Sequence, residues 1–158
     1  MVVEAQGEEA QVAVGKKQQK HSPIVKAIAE AERSTTGEIR VHLTRRLLDK
    51  HPFGRAMKLF SQFGMTRTTH RNAVLLYVNM RLKKFAIIGD EGIHKKVGQK
   101  YWEDLAISLR EDLQSTHSEN AISIAVRTIG FTLAKYFPVN LEGAQSPENE
   151  LPDLVSED

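Results

Sequence analysis

Ile24, Ala27, Ile28 and Ala31 recur at the i, i+3, i+4, i+7 spacing that lays one apolar stripe along a helix. Ser22-Pro23 stands just ahead of them. The Ser suits an N-cap, and the missing N–H of Pro costs nothing in a first helical turn. Thr36-Gly37 ends the element. The rhythm then changes, because residues 38–44 alternate strictly, with Ile39, Val41 and Leu43 on one face and Arg40 and His42 on the other. This predicts a strand buried on one side only, near a sheet edge. Residues 52–63 predict a second helix with Phe53, Met57 and Phe60 inward.

Residues 73–78, Ala-Val-Leu-Leu-Tyr-Val, are apolar on both faces, the mark of a central strand covered by helices on each side. A short turn at 79–82 leads to another strand at 84–88, and a connection of that length forces the pair antiparallel. Two helical stripes follow. Trp102, Leu105, Leu109 and Leu113 share one face. Ile122, Ala125, Val126, Ile129, Leu133 and Tyr136 share another, with Thr116 or Ser118 placed to cap it and Phe131 assigned to a buried stripe.

The strand at 38–44 reaches the strand at 73–78 through a helix, so that pair is most simply a right-handed parallel crossover. The predicted fold class is α/β: a small mixed sheet sandwiched between helices, one domain over residues 22–138. Residues 1–21 and 139–158 show no periodic apolar face. They are expected to be a disordered N-terminal segment and a flexible acidic tail.

This topology brings three segments to one edge of the sheet: Gly37-Glu38, residues 68–72, and Gly89-Asp90-Glu91-Gly92. Glu38, Asp90, Glu91 and Asn72 offer the hard oxygen donors that Ca²⁺ or Mg²⁺ takes. Arg71, Gly89, Gly92 and His94 are the candidate ligand-binding positions, Arg71 beside a helix N-terminus being suited to a phosphate. The same residues also suit an ordinary strand-to-helix turn, with Asp90 bonding its own backbone and the glycines at positive φ. Both readings are open at this level.

Composition narrows the chemistry. The 158 residues contain no cysteine, which removes disulfides, thiolate zinc sites and a cysteine nucleophile together. No histidine pair has ligand spacing, and GxSxG, GxGxxG and GxxxxGK[ST] do not occur. No apolar run approaches the roughly 20 residues of a membrane span, and the N-terminus lacks the apolar segment of a secretory signal. A cytoplasmic monomer is expected. The net charge of +2 hides a segregation, because residues 137–158 carry six acids and no Lys or Arg, while residues 22–136 carry 19 basic against 11 acidic residues. A basic body with an acidic tail can bind anions weakly or fold the tail back on itself, and the reading preferred over both is a solvated surface with a solubilising tail. Basic and aromatic residues do not interleave, so no nucleic-acid platform is expected.

The run at 71–78, the run at 84–97 (Lys-Phe-Ala-Ile-Ile-Gly-Asp-Glu-Gly-Ile-His-Lys-Lys-Val) and the following Trp102 resemble the TPM-domain family. That family is named for a thylakoid-lumen protein, a photosystem II repair protein and a nematode receptor-accessory protein. Thr36-Gly37-Glu38-Ile39 resembles the start of its first strand, and Tyr136-Phe137-Pro138 its small bacterial cytoplasmic branch. The resemblance spans about residues 22–138. It implies a mixed sheet between helices, Ca²⁺ binding in some members and acid phosphatase activity in one plant member. Its acidic, Gly-containing loops correspond here to 71–73 and 89–92. Many members carry Asp-Asn-Gly where His70 or Arg71, Asn72 and Ala73 stand, so an acid is lost here and a cation gained.

Two functions are therefore weighed. One is a binding or accessory module that engages a protein partner at the loop edge, with a weak Ca²⁺ or Mg²⁺ site. The other is a phosphohydrolase in which Asp90 or Glu91 ligates a metal or acts as base and Arg71 holds the phosphate. A hydrolase needs a nucleophile or an activated water held by several groups. Spacing identifies only one carboxylate-rich loop, which favours the binding module.

Overall fold

A computed structural model describes residues 22–140 and 155–158. The expectations for residues 1–21, and those for 141–154, lie outside the described residues. The chain runs α1 (Ser22–Glu32), β1 (Glu38–Thr44), α2 (Pro52–Gln62), a 3₁₀ turn (Met65–Arg67), β2 (Ala73–Asn79), β3 (Lys84–Gly89), α3 (Glu91–Val97), α4 (Gln99–Ser115), α5 (Ser118–Tyr136) and β4 (Val155–Glu157). The sheet order is β3-β2-β1-β4. β1 and β2 are parallel, β2 and β3 antiparallel, and β4 is parallel to β1. This is the mixed α/β sheet between helices that the periodicities predict.

Every residue of β2 is buried, as expected for a strand apolar on both faces. Val74, Leu76 and Val78 join Ile39, Val41 and Leu43 in a core closed by α1, α4 and α5. Leu75, Tyr77, Ala86 and Ile88 turn the other way, onto Ala56, Phe60 and Met65. α1 and α5 approach closely because Gly130 faces Ala31, where a Cβ would overlap the Ala31 side chain. The hairpin between β2 and β3 is held by Asn79, whose Oδ1 accepts from the N–H groups of Arg81 and Leu82.

Three expectations are corrected. The polar face of β1 is not open: His42 is buried, stacked on Tyr77 at 5.7 Å, and the Arg40 guanidinium lies 3.7 Å over the Phe63 ring. The end of α2 covers that face, so alternation assigned the faces correctly and their exposure wrongly. Phe53, Met57 and Phe131 are exposed, because α2 buries only the Ala56–Phe60 side and Phe131 lies away from the inner stripe of α5. And the expected loose tail ends in a strand, since Val41, His42 and Leu43 pair with Val155, Ser156 and Glu157. β1 is therefore next to the sheet edge, as expected, with β4 outside it.

Polar contacts fasten that last strand. His42 Nδ1 lies 2.8 Å from Ser156 Oγ, and His42 Nε2 lies 3.3 Å from the Asp158 carboxylate. Arg55 and Arg46 reach the same carboxylate. Asp158 at the acidic end thus folds back onto the basic body, against the preferred expectation of a merely solubilising tail. Behind His42, the Tyr77 hydroxyl donates to Asp49 at 2.9 Å; burial first, and then this carboxylate, push the Tyr77 pKa well up.

Candidate functional site: the loop edge

The register sets Glu38 opposite Ala73 and Val74 opposite Gly89. β1 and β2 therefore begin, and β3 ends, on one edge of the sheet, as the sequence predicts. Asp90 extends the ladder by one bond, its N–H donating to the Ala73 carbonyl at 2.9 Å.

Arg71 is the pivot of this edge. Its φ of 51° lies in the left-handed region, where a Cβ costs roughly 1–2 kcal/mol. That turn points the Arg71 carbonyl at the Gly92 N–H, 2.8 Å away. The guanidinium meets Asp90 in a two-bond fork, Nε to Oδ2 at 2.6 Å and Nη2 to Oδ1 at 2.9 Å. Nη1 lies 3.4 Å from the Glu91 carboxylate. The hydrogen bond to Asp90, with the charges of Asp90 and Glu91, raises the Arg71 pKa, so the cation is permanent. Asp90 is buried and also accepts from the Glu91 N–H at 2.8 Å, the N-cap bond of α3.

Asn72 is wholly buried. Its backbone N–H donates to Thr68 Oγ1 and its side-chain amide to Thr36 Oγ1, both at 3.2 Å, while Oδ1 has no protein partner. Glu38 is buried at the first position of β1. The two loop glycines have no positive φ. They serve close approach: a Cβ on Gly89 would enter the Trp102 ring, and one on Gly92 would overlap the carbonyl oxygens of His70 and Arg71. His94 is exposed, and its Nδ1 accepts from Trp102 Nε1 at 3.0 Å.

Thr36, Thr68 and Trp102 support the edge, although the sequence placed them only in a helix end, a loop and a helical stripe. Short hydroxyls beside a Gly or in a loop are a common backbone-bonding signal. Nothing local, however, says which distant loop they join.

The four oxygen-bearing residues do not form a ready cation site. Both oxygens of Asp90 already accept from Arg71. Among the described residues no group of three or more His, Asp or Glu side chains gathers as metal ligands do. A divalent ion would have to displace the guanidinium, which repels it. Among the described residues, too, no helix is long and apolar enough to cross a membrane.

The TPM domain model matches residues 17–130. The NMR structure of the BA42 protein from the psychrophilic bacterium Bizionia argentinensis is 33% identical to this chain. It superposes with a TM-score of 0.77, covering 89% of this chain and 94% of that one. No curated protein matches.

Proposed function

The chain belongs to the TPM domain family, and on that premise we propose that it is a non-enzymatic binding module that engages a protein partner at the loop edge. The Arg71–Asp90 fork carries this reading. The buried acid of the edge is satisfied from within, and the loops before β2 and after β3 are locked together by an internal cation. His70, Arg71, Glu91 and His94 then form a presented polar surface rather than a reaction centre. Divalent cations compete poorly for Asp90 and Glu91.

The phosphohydrolase reading has less support. Arg71 is committed to Asp90, and His94 Nδ1 is held by Trp102. Both oxygens of Asp90 are engaged, by Arg71 and by the helix N-cap bond to Glu91 N–H. One titration separates the readings. Ca²⁺, Mg²⁺ and phosphate are added in turn while backbone amide shifts are recorded. The binding-module reading expects only small shifts of the 71–73 and 90–93 amides at millimolar concentration, the weak end of Ca²⁺ sites. Arg71→Asp, which restores an acid and removes the competing cation, should tighten Ca²⁺ binding. Turnover of p-nitrophenyl phosphate that is lost in a folded Asp90→Asn variant would replace this reading with the hydrolase.

A further inference from the structure

β3 is the outermost strand on its side of the sheet, and among the described residues no strand pairs with its outer edge. The bond from Asp90 N–H to the Ala73 carbonyl sets the phase of the antiparallel ladder. With hydrogen-bonded and non-bonded pairs alternating, the backbone groups of Lys84, Ala86 and Ile88 face β2. Those of Phe85, Ile87 and Gly89 face outward. Burial follows the same alternation, since Ala86 and Ile88 are buried while Phe85, Ile87 and Gly89 are half-buried.

A groove of about 440 Å³ runs along this edge, walled by Phe53 of α2 on one side and by Trp102, Ala106 and Arg110 of α4 on the other. A smaller recess of about 210 Å³ adjoins it beside Met57 and Trp102. The Trp102 wall is fixed in place by the absent side chain of Gly89 and by the bond to His94. Phe53 is 63% and Met57 46% exposed, an apolar lip with nothing described over it. Charge is unequal, with Lys83, Lys84 and Arg110 against Glu103.

We infer that the β3 edge is a docking groove for an extended peptide segment of a partner protein, with apolar residues at alternate positions and an acidic end. Outward N–H and C=O groups of three alternate residues, met by water in the free protein, are matched in order by another strand. Alternate side chains of such a strand fall on Phe53 and Trp102, and its carboxylates meet Lys84 and Arg110. Walls on both sides admit one strand, whereas a second copy would bring its own α2 and α4 against them. This surface adjoins the loop edge, sharing Gly89, His94 and Trp102 with it, and does not depend on the role given to Arg71.

The test uses the full chain and an end-capped octapeptide alternating valine and threonine and ending in two glutamates. In the free protein the amides of Phe85, Ile87 and Gly89 should exchange fast, and those of Ala86 and Ile88 slowly. The peptide should shift the first three and slow their exchange. A peptide with proline at the central valine should lose binding, because it lacks the central N–H. Lys84→Glu and Arg110→Glu should each weaken binding by about two- to fivefold, the span of one exposed ion pair, with exchange at Ala86 and Ile88 unchanged. Slow exchange at Phe85 and Ile87 without peptide, or equal binding of the proline peptide, would overturn the inference. So would concentration-dependent dimerisation that protects β3 without peptide, which assigns the edge to a second copy.

Discussion

Arg71 meets two opposed demands. Its backbone sits at a φ of 51°, where Gly or Asn is comfortable and a long side chain is not. Its guanidinium nevertheless forms the fork on Asp90 that joins two loops. The Gly92–Arg71 backbone bond and that fork together hold the strained turn. Elsewhere the cost of a substitution depends on what surrounds the residue, not on the face that alternation assigns it. Leu76 is fully buried in the central strand, so Leu76→Ala should cost about 2–5 kcal/mol in urea or thermal unfolding. On sequence alone Arg40→Ala is expected to be nearly silent. With the guanidinium 3.7 Å over the Phe63 ring, the expected cost rises to about 0.5–2 kcal/mol. A silent Arg40→Ala would show that the ring contact stabilises nothing.

At the scale of elements, β4 is held by a single neighbouring strand, β1, and by polar contacts at its end. Burial lowers the His42 pKa, against the pull of Asp158. Burial works to raise the Asp158 pKa, but hydrogen bonds from Thr44 and His42 and the charges of His42 and Arg55 outweigh it and bring it below the usual carboxylate value. Both folded values therefore lie below the unfolded ones. Each contribution is complete above the unfolded value and drains as pH falls, first for His42 below about 6.5 and then for Asp158 below about 3.9. Acidification from pH 7.5 to 4 should strip exchange protection from the amides of Ser156 and Asp158, the two that face β1, while Leu75 and Leu76 keep theirs. His42→Phe should abolish this loss over the same pH range, and it also reduces the Asp158 shift, part of which comes from His42. Loss of protection only together with global unfolding would mean that β4 is not a separate unit.

For the whole molecule, the acidic C-terminal segment looks dispensable from its lack of apolar periodicity, yet its last residues complete the sheet. A chain ending at Asn140 would expose the edge of β1 and leave the basic groups around His42 without Asp158. Its thermal midpoint should fall by more than about 4 °C, on the order of 1 kcal/mol for a domain of this size, and the bare edge should promote association. An unchanged midpoint would return β4 to the status of a tail. The sequence by itself determined the helices and strands of residues 22–136, apart from the 3₁₀ turn and the break at Gly98 that separates α3 from α4, and which side of β1 carries its apolar set. Connection length added the parallel and antiparallel pairings, and with them the edge where Glu38, Asn72 and Asp90 meet. All of these follow from periods and loops within a few residues. Only the tertiary structure decided that His42 and Arg40 are covered, that Phe53, Met57 and Phe131 are not, and that Arg71 closes on Asp90. It alone placed the last strand on β1. Those outcomes depend on partners 19 residues apart at the loop edge and 114 apart between His42 and Ser156, and no local pattern encodes what a distant segment will cover.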